Sequence, residues 1–265
     1  MQVEPPAVRT LDPSKPSAAR IYDYLLGGKD NFAVDRDAAE RVLAVAPDQR
    51  RLARANRAFL IRAVRVLAQA GIRQFIDLGT GLPTSPSVHE VARETNPAAR
   101  VVYVDKDPIV KTHNDALLAT DEHIASLLAD LRDTDGILEH PQLRRLIDFT
   151  EPVGLLCVAV LHVVADEHDP ARIVGTFRDR LAVGSHLALS QFTADSDPDA
   201  MAELRAVAAG TPVETYFRSR DEIRGFFGNL EFLPPGLVNV EAWRPDTRPS
   251  PTRLKIAGGV ARKTR

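Results

Sequence analysis

An α/β fold is predicted, with a mostly parallel sheet, an antiparallel C-terminal edge and an N-terminal helical layer. Three observations predict it. After Gly71, short apolar runs alternate with helical patterns, as in βαβ units whose sheet is covered on both faces. Before Gly71 the apolar spacing is helical instead. Glycines and acids stand just past the apolar runs, where open parallel sheets hold their ligands.

Residues 1–16 are rich in proline and polar groups and read as a flexible arm. Ser17 is a suitable N-cap for a helix to Leu26, and Gly27-Gly28 breaks the chain. Helical spacing returns over Asp35–Val45 and Asp48–Ala70, with Gly71 in the position that ends a helix. Strands are expected at Phe75–Leu78, Val101–Val104, Ile124–Leu128, Val153–Val158 and His186–Phe192. Helices are expected between and after them at Ser85–Thr95, Pro108–Thr120, Asp135–Ile147, Pro170–Leu181, Asp197–Ala209 and Arg220–Phe227. Late strands near Leu230–Leu233 and Arg253–Gly258 supply the antiparallel edge. The chain thus divides into an arm (1–16), a helical cap (17–71), a core (72–260) and a basic, solvated tail (261–265).

Bulk properties narrow the function. The chain has 265 residues, 44% of them hydrophobic, enough for a full α/β core. A formal net charge of −2 offers no global field for nucleic acid or an anionic membrane. No apolar run reaches the roughly 18–20 residues of a membrane span, and the N-terminus lacks a signal-peptide pattern. A single cysteine, Cys157, excludes an internal disulfide. A cytoplasmic location is therefore expected. No metal is expected, because the seven histidines are dispersed and form no H-x-x-x-H pair. No G-x-S-x-G elbow supports a serine hydrolase.

Four strand ends carry chemistry. At the first, Asp77-Leu78-Gly79-Thr80-Gly81, two glycines let the backbone turn and approach a ligand. A dinucleotide fingerprint would place a third glycine where Thr84 stands. An acid before the glycines suits a cationic amine, such as that of the methionine moiety of S-adenosylmethionine. At the second, Asp105, followed by Lys106, can accept hydrogen bonds from ribose hydroxyls, while Asp107 caps the next helix. At the third, Asp130 can accept from an adenine amino group and Leu131 can offer a backbone N–H. At the fourth, Ala159 and Val160 would lie near a donor sulfur, and His162 is a candidate general base. An ordinary strand–helix turn, a helix cap, a solvated charge cluster and a structural histidine are the plainer alternatives at these four places. Among Asp166, Glu167, His168 and Asp169, helix capping explains the acids most simply.

In order and spacing these residues resemble the class I, Rossmann-like methyltransferase pattern. The words Ala19–Phe32, containing Tyr22-Asp23-Tyr24-Leu25-Leu26-Gly27-Gly28, and Arg54–Leu60 narrow the resemblance. With Ile76–Thr84 and Val102–Asp105 they resemble the bacterial S-adenosylmethionine-dependent family formerly catalogued as DUF574, over about Ser17 to Gly258. The resemblance implies S-adenosylmethionine as donor, S-adenosylhomocysteine as product and a helical layer over the pocket. By resemblance Tyr22, Gly28, Asn31 and Asn56 help cover the cofactor; packing is the alternative for Tyr22. Arg54 and Arg57, one turn apart, either hold an acidic substrate or are solvated, and solvation is the expectation. The segment Ser85-Pro86-Ser87-Val88 departs from the family pattern, with Pro86 expected in the first helical turn.

The expected function is methyl transfer to a small-molecule acceptor lined by the N-terminal helices and by residues 193–213. A non-catalytic module that binds S-adenosylmethionine or S-adenosylhomocysteine is the first alternative, since no compelling acid–base pair is visible. A nicotinamide-dependent oxidoreductase is the second, and Asp77 and Thr84 count against it. Acceptor identity and oligomeric state are not legible.

Overall fold

The structure, a computed structural model, describes residues 14–118, 121–209, 211, 213–246, 248 and 250–265. Most of the expected arm and the end of the expected Pro108–Thr120 helix lie outside these residues.

Five parallel strands form the body of one sheet: β1 (Gln74–Leu78), β2 (Arg100–Asp105), β3 (Ile124–Leu128), β4 (Gly154–Val158) and β5 (His186–Phe192). Three later strands, β6 (Glu231–Phe232), β7 (Val238–Asn239) and β8 (Ile256–Arg262), complete it. The order is β3-β2-β1-β4-β5-β8-β6, with β7 also paired to β8. The chain order reverses between β1 and β4, and β1 pairs parallel with both β2 and β4. That reversal opens a crevice at the strand C-termini. Strands β1, β4 and β5 are buried over nearly their whole length, which is why they read as continuous apolar runs.

The helices are α1 (Ala18–Leu26), α2 (Ala33–Val45), α3 (Gln49–Gln69), α4 (Val88–Arg93), α5 (Pro108–Leu117), α6 (Thr134–Leu138) and α7 (Pro141–Leu146). They continue with α8 (Pro170–Arg180), α9 (Pro198–Ala208) and α10 (Arg220–Phe227). One face of the sheet packs a core that includes Ile137, Leu143, Ile173, Phe177, Ile223 and Phe227, from α6, α7, α8 and α10. The other packs Phe59, Ala63, Leu67, Val91 and Leu204 around Phe75, Leu156 and Trp243. A smaller cluster, with Ile21, Leu25, Ala38, Ala39 and Ala53, joins α1 and α2 to one side of α3.

Local chemistry explains several boundaries. Gly71, at φ 90°, ends α3, and Ile72 N–H donates to the Leu67 carbonyl. The expected helix Asp135–Ile147 is two helices. Pro141 has no N–H to continue α6, and His140 caps α7 through Gln142 N–H. Pro86 lies before α4 rather than in its first turn. Ser87 and Glu90 form a capping box there and start the helix at Val88.

Three placements differ from expectation. The apolar stripe of α3 faces the sheet, so α3 is a core helix and only α1 and α2 sit apart as a cap. The last long strand, β8, starts at Ile256 rather than Arg253 and lies between β5 and β6 in the expected antiparallel edge, and β7 was not foreseen. Pairing of β8 runs to Arg262, and Lys263 N–H donates to Ser185, so most of the expected tail is held to the sheet. Among the described residues no helix is long and apolar enough to cross a membrane.

Candidate functional site

A cavity of about 890 Å³ opens above the C-terminal ends of β1, β2, β3 and β4. Its wall brings together Asp77, Gly79, Thr80, Gly81, Asp105, Lys106, Asp130, Leu131, Ala159, Val160, His162, Tyr22 and Asn56. Thirteen of the fifteen residues singled out in the sequence thus share one space, and Gly28 and Asn31 do not. Its volume is in the range of small-molecule sites, about 300–1,000 Å³.

The turn after β1 shows why glycine is required there. Gly79 has φ 70°, and a Cβ at that position would lie 2.2 Å from the Val160 side chain. Gly79 and Thr80 donate their N–H groups to the Val104 carbonyl. Gly81, at φ 67°, donates to the Asp105 carboxylate at 2.9 Å, tying the glycine turn to the end of β2. The second Asp105 oxygen accepts the Asp107 N–H at 3.0 Å. Asp105 therefore shapes the turn as well as facing the cavity, and burial raises its pKa against those two bonds.

Asp77 is buried, and Thr80 Oγ1 donates to one of its oxygens at 2.7 Å. The other oxygen has no hydrogen bond and keeps contact with the cavity. Burial pushes its pKa up to about 6, opposed by the Thr80 hydrogen bond and the Arg57 charge. Arg57 lines the same cavity, with Nη2 donating to the carbonyls of Thr84 (2.5 Å) and Pro86 (2.6 Å). Arg54 is exposed, as expected, but Arg57 is not simply solvated. The sequence signal for Arg57 was only its place in the Arg54–Leu60 word; its proximity to Asp77 is tertiary.

At the end of β3 Asp130 is clamped by Arg132, with Nη2–Oδ2 2.6 Å and Nε–Oδ1 2.9 Å. Burial pushes the Asp130 carboxyl up, but Arg132 outweighs it and the net shift is downward. Lys106 is exposed beside both Asp105 and Asp130. Leu131 is buried on the cavity wall.

Beyond β4, Ala159 adopts φ 57°, a left-handed conformation that costs energy for a residue with a side chain. It is held by Ser190, whose Oγ accepts the Ala159 N–H at 3.0 Å and donates to Asn56 Oδ1 at 2.6 Å. Asn56 Nδ2 donates to Tyr22 Oη, which in turn donates to the Ala53 carbonyl. Tyr22 and Asn56 are thus linked through hydrogen bonds to the strand end under the cavity. Arg218, buried, fixes the following loop by donating to the carbonyls of Leu161 and Val164 and to Asp166. Asp166 therefore pairs with Arg218, and only Asp169 caps α8, through Arg172 N–H. Nothing in the local sequence marked Arg218.

His162 packs against Phe192, with ring centroids 4.8 Å apart. Burial and the Arg218 charge lower its pKa to about 3. It is neutral at physiological pH and a weak base, which counts against the general-base expectation. Gly28 and Asn31 line neither this cavity nor the smaller chamber beside it. Asn31 Nδ2 donates to Asp23 and to the Gly28 carbonyl, and a Cβ on Gly28 would overlap Asp23 at 1.9 Å. Both residues build the α1–α2 turn instead.

The fold is the Rossmann-like fold of class I methyltransferase structures. The chain belongs to the S-adenosyl methyltransferase family, whose profile matches residues 5–264, and its cofactor is S-adenosylmethionine. It is similar to a DUF574-family protein of Streptomyces avermitilis, at 41% identity, TM-score 0.91, covering 95% of this chain and 99% of that one. It is also similar to a methyltransferase candidate of Thermobifida fusca, at 42% identity, TM-score 0.90 and 99% of each chain. Human N-acetylserotonin methyltransferase in complex with S-adenosylmethionine shares the fold at 15% identity, TM-score 0.50, covering 95% of this chain and 64% of that one. No curated protein matches the chain.

Proposed function

We propose that this protein transfers the methyl group of S-adenosylmethionine to a small-molecule acceptor, leaving S-adenosylhomocysteine. The observation that carries the proposal is the gathering of Asp77, Asp105 and Asp130, from three successive strand ends, on one cavity.

The wall fits the cofactor's functional groups in sequence. Asp77 and Arg57, an acid and a base on one wall, suit an α-ammonium and an α-carboxylate respectively. On this reading Asp105 accepts from ribose hydroxyls, with Lys106 beside it, and Asp130 and the Leu131 backbone meet an adenine edge. The Gly79-Thr80-Gly81 turn presents no Cβ at Gly79 or Gly81 to obstruct a ligand. Ala159 and Val160 then border the methyl-bearing end, under Tyr22 and Asn56.

When bound, the cofactor supplies an activated methyl group. The acceptor's lone pair forms the new bond to carbon, the carbon–sulfur electrons stay on sulfur, and the acceptor's proton then leaves to water. Placing the acceptor in line carries most of the rate, so no strong base is required. A neutral, weakly basic His162 is consistent with that chemistry, and its part here is to accept or donate a hydrogen bond.

Calorimetry with S-adenosylhomocysteine tests the binding half. Saturable one-to-one binding is expected, and no heat at millimolar ligand would end the proposal. Incubation with labelled S-adenosylmethionine and a small-metabolite extract tests the transfer half. Label in a small molecule is expected. Binding without any transfer would favour the second reading, a module that binds the cofactor without turnover.

A further inference from the structure

Beside the large cavity lies a smaller chamber of about 100 Å³. The two share Ala159, His162 and Val163 past the end of β4, Pro16, Ala18 and Tyr22 at α1, and Thr211. The chamber continues between α1, α2, α3 and α9, walled by Ile21, Leu25, Phe192, Leu204 and Val207. Methyl transfer needs the acceptor on the far side of the methyl group from the donor sulfur, and this is the space that meets the large cavity there.

The wall has two polar groups without partners. Gln49 is buried at 7% exposure, and its amide makes no hydrogen bond; Oε1 is sealed within the protein. An unpaired buried amide is costly, so natural structures rarely keep one unless something else satisfies it. The His162 ring is the other. Its Nδ1 is sealed and unpaired, and Nε2, equally without a partner, keeps access to the open space. Arg41, exposed, is the charged side chain among the described wall residues, so no carboxylate awaits a cationic acceptor.

We infer that this chamber binds the methyl acceptor, a compact and largely apolar molecule carrying one hydroxyl or N–H group, held by the Gln49 amide and His162 Nε2. The inference rests on the methyl-donor reading of the large cavity. At about 100 Å³ the chamber is smaller than the roughly 150 Å³ apolar cavity that accommodates benzene, so it suits a body no larger than one aromatic ring. The single polar group distinguishes the expected ligand from a plain hydrocarbon, because only the former offers a partner to the unsealed Gln49 Nε2 and His162 Nε2.

Phenol and benzene are the probes, titrated by ligand-observed magnetic resonance into the full chain saturated with S-adenosylhomocysteine. Phenol is expected to bind about three- to tenfold more tightly than benzene, the size of one neutral hydrogen bond. Gln49→Leu and His162→Phe are each expected to shrink that preference. Val207→Phe, which narrows the chamber from α9, is expected to weaken phenol at least about tenfold by steric exclusion while leaving S-adenosylhomocysteine affinity within about threefold. Equal binding of phenol and benzene, or phenol binding unaffected by Val207→Phe, overturns the inference. So does a lack of phenol binding to protein that calorimetry shows is loaded with S-adenosylhomocysteine. Failure of S-adenosylhomocysteine itself to bind is a separate result and removes the donor reading as well.

Discussion

Asp77 couples the cofactor site to pH. Its folded pKa is raised to about 6, above an unfolded value of 3.8. The folded state therefore holds a proton between about pH 4 and 6 that the unfolded state has released. The corresponding stability is full below about pH 4 and is lost as pH rises through about 6. Binding a cationic ammonium requires the ionised form, so cofactor affinity should move the opposite way. It should fall up to about tenfold per pH unit below about pH 6 and level off above it. Thr80, Arg57 and Asp105 are the groups that face Asp77. Calorimetry from pH 5 to 8 measures this, and Asp77→Asn should flatten the profile; a wild-type profile already flat would remove Asp77 from ammonium binding. Asp105→Ala should weaken S-adenosylhomocysteine by roughly 2–4 kcal/mol. It removes ribose acceptors and also frees the Gly81 N–H that orders the glycine turn. Unchanged affinity would exclude Asp105 from the site.

At the scale of elements, the cap is tied to the sheet by one buried ion cluster. Arg20, 3% exposed, pairs with Asp35 at 2.7 Å and with Asp107 at 3.2 Å. Asp107 also accepts from Ser17 Oγ and caps α5 through Ile109 N–H. One residue thus joins α1 to α2 and both to the turn after β2. Arg20→Ala strands Asp35 as a fully buried acid and should cost about 3–5 kcal/mol in urea unfolding. The Arg65–Glu94 pair has equally short contacts but is 40% and 47% exposed. Arg65→Ala should cost less than about 1 kcal/mol. Equal costs for the two variants would contradict the role assigned to burial.

For the molecule as a whole, the cavity is walled by both the cap and the sheet. A ligand there binds only the folded chain and should raise its stability. At 100 times the dissociation constant the gain is about 2.7 kcal/mol. For a chain of this size that is a rise of roughly 5–10 °C in melting temperature. Thermal unfolding with and without S-adenosylhomocysteine measures it. NADH at the same concentration should give no rise, and a rise with NADH alone would revive the oxidoreductase alternative.

Sequence by itself determined the α/β class, the five parallel strands and the acids at their ends. These features are local: apolar runs bounded by glycine or proline, with an acid at or just past the end of three of them, Asp77, Asp105 and Asp130. The strand Ile124–Leu128 and the helix Arg220–Phe227 were legible to the residue because burial and capping signals coincide there. Only tertiary structure decided the rest. Whether the stripe of α3 faced a cap or the sheet depended on its partner, not its spacing. Arg57 beside Asp77, Arg218 under the β4 loop and Gln49 on the chamber wall are brought to the site by packing between distant segments. The basicity of His162 could not be read from its neighbours in the chain, because burial and Arg218 set it. Strand ends are written into the chain locally, whereas electrostatic partners and cavity walls arise only when separate elements meet.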